Sequence, residues 1–215
     1  ERFSELERRV RAGFEEELAF RLDEERVELR RELGRQFNQT VRRLRQCATA
    51  DEMHGALLNS ALGSCERAVL FSFSGQFLKV VGVRGFREDV AAALLRTEVS
   101  LSSAPAVANA VDSMDAVIAM RSAGELSDRL AWLLGETHDR QCFLFPVISR
   151  QKVVAVLYGD SEGGVDAGTL EMLVLLAGAA MDLRSTTPAT SPAGLVAIGD
   201  ASGAPARLAP SDWGG

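Results

Sequence analysis

The sequence of 215 residues has few cysteines and few histidines, and each scarcity makes one class of protein or site unlikely. Its three cysteines, none in a Cys-x-x-Cys spacing, exclude a disulfide scaffold and indicate free thiols in a reducing compartment. No apolar run reaches the ~18–20 residues that span a bilayer, and the first residues do not resemble a signal peptide. We therefore expect a cytoplasmic protein that does not bind membranes.

Motifs for several enzymatic chemistries are also absent. The chain contains no Gly-x-Gly-x-x-Gly, no Gly-Lys pair for a phosphate loop and no Gly-x-Ser-x-Gly. His54 and His138 are its only histidines. Because closed structural metal sites usually need four ligands, we expect no metal site. Because the motifs above are absent and histidines are few, we also expect no catalytic residues. The sequence does not indicate which cofactor, if any, the protein binds.

Charge is distributed unevenly around a net value of −6. Residues 1–45 carry twelve arginines and eleven acidic residues, whereas the remainder carries twelve basic and nineteen acidic residues. Nucleic-acid binders concentrate basic residues on one surface, because phosphate neutralisation dominates their affinity. Here only Arg42, Arg43 and Arg45 cluster, so we expect no nucleic-acid partner.

Residues 1–46 are typical of one long helix. They contain no proline and many strong helix formers, with apolar residues recurring mostly at steps of four. That spacing is closer to an 11-residue repeat than to a heptad, which favours a fairly straight helix with a narrow apolar seam. Such a seam needs a partner surface, and an identical helix is the simplest one. The alternative is a solvated single helix held by ion pairs four residues apart.

A second helix and a series of short elements follow. Thr49-Ala50-Asp51-Glu52 is a capping box that predicts a helix to Gly63. The remaining patterns predict hairpins over 68–83 and 142–158, helices over 88–95, 104–110, 125–134 and 167–184, and a strand over 116–120. Hairpins with helices around them are typical of an α+β fold. The strand from Cys142 to Ile148 is apolar on both faces, which predicts helical layers on both sides of the sheet.

The last predicted helix is apolar nearly all round, so one side is left without a partner inside the domain. This surplus face and the N-terminal seam both predict a homodimer, parallel or antiparallel. The residues that we expect at its interface are Leu18, Leu22, Leu29, Leu33, Leu170, Met172 and Leu175.

The stretch from about Gln46 to Arg184 resembles a GAF domain. The resemblance rests on the capped helix before Cys65-Glu66-Arg67-Ala68-Val69-Leu70-Phe71, on Val83-Arg84-Gly85-Phe86, on residues 103–111 and on the closing run. That run is Phe145-Pro146-Val147, a hairpin, Val154-Ala155-Val156-Leu157-Tyr158-Gly159 and a terminal helix. The resemblance to a GAF domain implies an antiparallel sheet of five or six strands, with helices on both faces. It also implies a ligand pocket whose wall is formed by residues 84–101 and 104–139.

Ligand signatures of the family are missing from the chain. No cysteine precedes a histidine, as bilin attachment requires, and no Asn-Lys pair of the cyclic-nucleotide-binding members is present. Residues near the implied pocket that suit an anionic or aromatic ligand are Arg84, Phe86, Arg96, Arg121, Arg129 and Trp132. The competing interpretation is that the arginines are solvated and that Trp132 belongs to the core.

We expect a non-enzymatic regulatory or signalling module that senses a small molecule, dimerises, or does both, and that acts on a neighbouring effector domain or partner protein. One alternative is a cysteine-dependent enzyme of the free methionine sulfoxide reductase type, using Cys47, Cys65 and Cys142. Another is a degenerate GAF scaffold that binds no ligand.

The predicted organisation is a dimerisation helix over 1–46, a GAF-like domain over 47–184 and a Pro/Ala/Ser/Gly-rich tail or linker over 185–215. Within the tail, Leu195–Ile198 is a candidate edge strand. The abrupt start and linker-like end are typical of a fragment of a longer protein.

Overall fold

The computed structural model describes residues 2–135 and 137–186; for residues 2–10, 12, 138, 185 and 186 it describes the backbone alone. Most of the predicted tail, including Leu195–Ile198, therefore lies outside the described residues. Seven helices longer than one 3₁₀ turn and six strands are found within these ranges. In chain order they are α1 (Arg2–Gln46), α2 (Ala50–Ala61), β1 (Arg67–Ser74), β2 (Phe77–Arg84), α3 (Glu88–Leu95), β3 (Glu98–Ser100), α4 (Pro105–Ser113), β4 (Val117–Arg121), α5 (Ala123–Leu126), α6 (Asp128–Leu134), β5 (Thr137–Ser149), β6 (Lys152–Asp160) and α7 (Ala167–Thr186).

The six strands form one antiparallel sheet in the order β3-β2-β1-β6-β5-β4. This confirms the predicted α+β fold with a long N-terminal helix. The sequence missed β3, because three residues are too few to show an alternating pattern. The predicted helix over 125–134 is wrong in one respect: Ser127 has a φ of 75° and divides it into α5 and α6.

Helical layers cover both faces of the sheet, as the apolar strand predicted. On the first face, α2, α7 and the end of α1 pack over alternate residues such as Leu70 and Leu157. On the second face, α3 to α6 pack over the intervening residues such as Phe71 and Val156. The capping box of α2 is present: the Thr49 hydroxyl accepts from the Glu52 backbone N–H, and the Glu52 side chain accepts from the Thr49 N–H.

Helix α1 contacts the domain only near its C-terminal end. Leu44 and Cys47 are buried with the core of the first face, and the Thr40 hydroxyl lies 3.4 Å from that of Ser60 on α2. By contrast, residues 13–36 are exposed along their whole length. None of the helices in the described part of the chain is both long and apolar enough to cross a membrane.

Candidate functional site

A buried carboxylate shared by two arginines lies at one end of the sheet. The Arg67 guanidinium donates from Nε to Asp160 Oδ1 at 2.7 Å and from Nη2 to Asp160 Oδ2. Arg121 Nη1 donates to the same Oδ2 at 3.0 Å, and the Tyr158 hydroxyl donates to it as well. Because two guanidinium groups share a single carboxylate, this cluster carries one excess positive charge.

Strand register brings these residues together. Arg67 at the start of β1 pairs with Asp160 at the end of β6, and Arg121 at the end of β4 pairs with Thr137 at the start of β5. Thr137 Oγ1 accepts from Arg121 Nη2 at 2.7 Å. The ends of β1, β4, β5 and β6 that carry the cluster therefore lie at the same end of the sheet, so the pairing of the strands fixes the positions of these side chains.

Burial and charge shift the acidity of the cluster. Burial alone would lower the pKa of Arg67, but its hydrogen bonds and its attraction to Asp160 raise that pKa above the ordinary value. Burial, followed by the charge of Asp160, raises the pKa of Tyr158, so its hydroxyl stays protonated and keeps donating. The Nε atom of Arg121 is buried and has no hydrogen-bond partner within the described part of the chain.

A cavity of ≈ 270 Å³ opens beside this cluster. Arg67, Arg121 and Asp160 line it, together with Glu66, Gly135, Arg140, Gln141, Ser161 and Glu162. Arg140 and Glu162 form an ion pair at 3.1 Å, and Glu66 is exposed and accepts from the Glu162 backbone N–H, which lowers the pKa of its carboxyl. The cavity thus has a basic interior and a rim of mixed charge.

The six residues predicted to bind a ligand do not converge on one site. Arg121 is buried in the cluster. The guanidinium carbon of Arg67 lies 5.1 Å from the centroid of the Phe86 ring, so Phe86 packs against that guanidinium. Arg84 instead bonds to Asn59 on α2 at 2.7 Å, and Arg96 is exposed after α3. Arg121 and Phe86 therefore lie at the cluster, while Arg84 and Arg96 do not contribute to it.

Arg129 and Trp132 form a separate pair on α6. The guanidinium carbon lies 5.9 Å from the centroid of the Trp132 ring, and the tryptophan side chain is 70% exposed. The interpretation of Trp132 as a core residue is therefore wrong. The core of the second face is filled instead by aliphatic side chains from α4 to α6, with Tyr158 and Phe71 beneath them.

The three cysteines are free and buried on opposite sides of the sheet. Cys47 and Cys65 belong to the core of the first face, whereas Cys142 belongs to that of the second. Burial, followed by the charge of Asp160, raises the pKa of Cys65 to about 11 and that of Cys142 to about 12. Among the side chains that the structure describes, no three of His, Cys, Asp or Glu are grouped to hold a metal ion.

The predicted interface residues divide between surface and core. Leu18, Leu22, Leu29 and Leu33 are exposed on α1, and Met172 and Leu175 are about half exposed on α7. Leu170 is fully buried, with a methyl group 3.0 Å from where a Cβ on Gly159 would lie, so its place in the predicted interface is corrected. Leu170 and Met172, two residues apart, thus lie on opposite sides of α7.

The sequence reasoning missed Asp160, Tyr158 and Thr137. One signal was present in the sequence. Asp160 directly follows the apolar run from Val154 to Gly159 and lies two positions after Tyr158. At the end of β6, Asp160 accepts hydrogen bonds from Arg67 on the neighbouring strand β1. Which arginines would meet Asp160 depends on the order of the strands, which the linear pattern does not contain.

Comparisons with known proteins identify the fold. No protein-family model and no curated protein sequence matches the chain. Among solved structures, the chain is similar to the GAF domain of an Acinetobacter phosphoenolpyruvate-protein phosphotransferase, with 16% identity, a TM-score of 0.52 and coverage of 74% of this chain and 98% of that one. A GAF domain/HD domain protein from Geobacter sulfurreducens has 12% identity and a TM-score of 0.52, covering 63% and 92%.

A fragment of a methyl-accepting chemotaxis protein is also similar, with 14% identity, a TM-score of 0.56 and coverage of 70% of this chain and 97% of that one. At these identities the likeness shows the fold alone. The chain contains a GAF-like domain, as the sequence resemblance predicted.

Proposed function

We propose that the chain is a non-enzymatic regulatory module that works as a homodimer, in which the GAF-like domain is coupled to a partner or neighbouring domain through α1. The observation that carries the proposal is the exposed length of α1. This helix has 45 residues, and the part that precedes Thr40 extends away from the domain. In that part, Leu29 is 62% exposed. Isolated helices depend on burial of an apolar stripe, so a second copy of α1 is the fitting partner.

The cysteine environments support a non-enzymatic role over the sulfoxide reductase alternative. A catalytic thiol needs access and a lowered pKa, but Cys65 and Cys142 are buried with raised pKa values. The sheet also lies between Cys142 and the other two thiols, which prevents a disulfide with either of them.

The oligomeric state tests the proposal. In light scattering at tens of micromolar, the chain is expected to have twice its mass of 23.1 kDa. The double substitution Leu22→Glu/Leu29→Glu places charges in the seam and is expected to give a monomer with unchanged domain melting. Val27→Glu is the matched control, because Val27 is also an exposed apolar residue but lies on the opposite side of α1. A monomeric wild type contradicts the proposal.

We further propose that the cavity beside Asp160 binds a small ligand through a carboxylate or phosphate group. The excess guanidinium of the cluster and the unpartnered Arg121 Nε support an anionic group in its interior, because a guanidinium binds planar oxyanions through paired hydrogen bonds. The mixed charge of the rim disfavours a ligand that is strongly anionic throughout. The ligand-free scaffold remains the second candidate, supported by the close packing of the second face.

Acetate and inorganic phosphate are suitable probes for this cavity. A ligand that binds only the folded state raises the melting temperature with its concentration. We expect such a rise at constant ionic strength, and we expect Arg121→Lys and Arg140→Gln to reduce it. Arg96→Gln, which changes an exposed arginine away from the cavity, serves as the control. Equal responses in all four proteins contradict the anion site and favour the scaffold.

A further inference from the structure

The apolar seam of α1 has mirror symmetry along the chain. Its residues from 10 to 41 are spaced 4, 4, 4, 7, 4, 4 and 4 apart, and the midpoint falls between Glu25 and Arg26. Residue types repeat with the same symmetry, in the order Val10, Phe14, Leu18, Leu22, Leu29, Leu33, Phe37 and Val41. A parallel pair needs no such symmetry, because each residue there meets its own copy. An antiparallel pair does need it, because the first half of one seam meets the second half of the other.

We propose that two copies of α1 pair antiparallel, with a two-fold axis between Glu25 and Arg26. This inference rests on the proposed dimer and adds its direction and register. Leu22 then lies level with the partner's Leu29, and Leu18 with the partner's Leu33. On a helix with 100° between successive residues, these four leucines fall within about 60° of each other, so they form one contact surface.

The seam residues that this register pairs are accessible to a partner in the structure. The side chains of Leu18, Leu22, Leu29 and Leu33 are 37–62% exposed, and Phe14, which would lie level with the partner's Phe37, is 70% exposed. Phe37 is half-buried and lies beside a small hollow where α1 meets α2, lined also by Leu33 and Ser60. The layer formed by Phe14 and the partner's Phe37 therefore lies at the junction between helix and domain.

The distribution of charge along α1 also favours antiparallel pairing. Residues 15–25 contain six acidic residues and one arginine, whereas residues 26–36, which lie level with them in this register, contain four arginines and two glutamates. Antiparallel pairing therefore places an acidic segment of each helix against a basic segment of the other. Parallel pairing would place acidic against acidic, which is unfavourable because like charges repel.

Distances between spin labels test the direction. Single labels are placed through Gly13→Cys, Gln36→Cys and Glu25→Cys in the full chain, whose native cysteines are buried. With a rise of 1.5 Å per residue, antiparallel pairing separates the labels at 13 by about 38 Å along the axis and those at 36 by about 32 Å. The labels at 25 stay within about 15 Å in either direction, because the axis is next to them.

The expected result is therefore two long distances and one short distance in a protein that is dimeric by light scattering. Three short distances mean a parallel pair, which overturns this inference and leaves the proposed dimer intact. A dimer with a long distance at 25 means that α1 is not the interface, which also overturns it. A monomer overturns the dimer and the register together. Circular dichroism of each labelled chain confirms that the helix is retained.

Discussion

The exposed part of α1 and the GAF-like domain differ in what holds them together. In the domain, the sheet is covered on both faces, and side chains such as Leu157 and Tyr158 are completely buried. In α1, the described contacts over residues 13–36 are pairs within the helix, such as Arg21 with Glu17 at 3.1 Å. Exposed pairs of this kind contribute only about 0.3–0.5 kcal/mol each. The domain is thus stabilised by its own core, whereas the exposed part of α1 is held only by weak pairs within the helix in the single chain.

This difference makes one type of substitution act in opposite directions. A methyl group added to Gly178 in the domain meets neighbouring atoms, whereas one added to Gly13 or Gly34 on α1 meets open space. Glycine also disfavours helix by about 1 kcal/mol relative to alanine, because it loses more backbone entropy on folding. Gly→Ala substitutions therefore separate packing from helix propensity in the two regions.

The largest effect is expected for Gly178→Ala on α7. A Cβ there would lie 2.0 Å from the backbone oxygen of Ile148 on β5, so helix and sheet must move apart. Overpacking of this kind costs about 2–3 kcal/mol, which lowers the melting temperature by roughly 5–10 °C for a domain of this size. Thermal unfolding followed by circular dichroism measures the change.

Gly168→Ala is the matched control on the same helix. Its Cβ would meet only Asp166 Oδ1 at 3.8 Å, an ordinary contact, so the melting temperature is expected to stay the same or rise slightly. If Gly178→Ala melts like the wild type, then α7 does not lie against β5 as closely as described. The contrast between Leu170 in the core and Met172 on the surface would then also need revision.

How far the sequence predicts the structure differs between the same two regions. Alternating apolar residues and local caps predicted most strands and helices of the domain, because these signals lie within one element, as at Thr49 and Glu52. The cluster around Asp160 was missed because its residues come from four strands, and strand order is not a local property. Ser127 divides a predicted helix because its φ of 75° is not helical, and its hydroxyl accepts from the Leu130 backbone N–H as the N-cap of α6. On α1, in contrast, the spacing of the seam already contained the mirror symmetry.

The smallest effect, and the sharpest probe of α1, is expected for Gly34→Ala. A Cβ there has no neighbour within 4 Å in the single chain, and position 34 lies beside Leu33. The substitution should stabilise α1 by about 1 kcal/mol through helix propensity alone. Far-UV circular dichroism at low protein concentration should show more helix, while the unfolding temperature of the domain stays unchanged. Loss of the dimer by light scattering would instead show that a partner backbone passes too close to Gly34 for a methyl group, which would move the contact surface away from the four leucines.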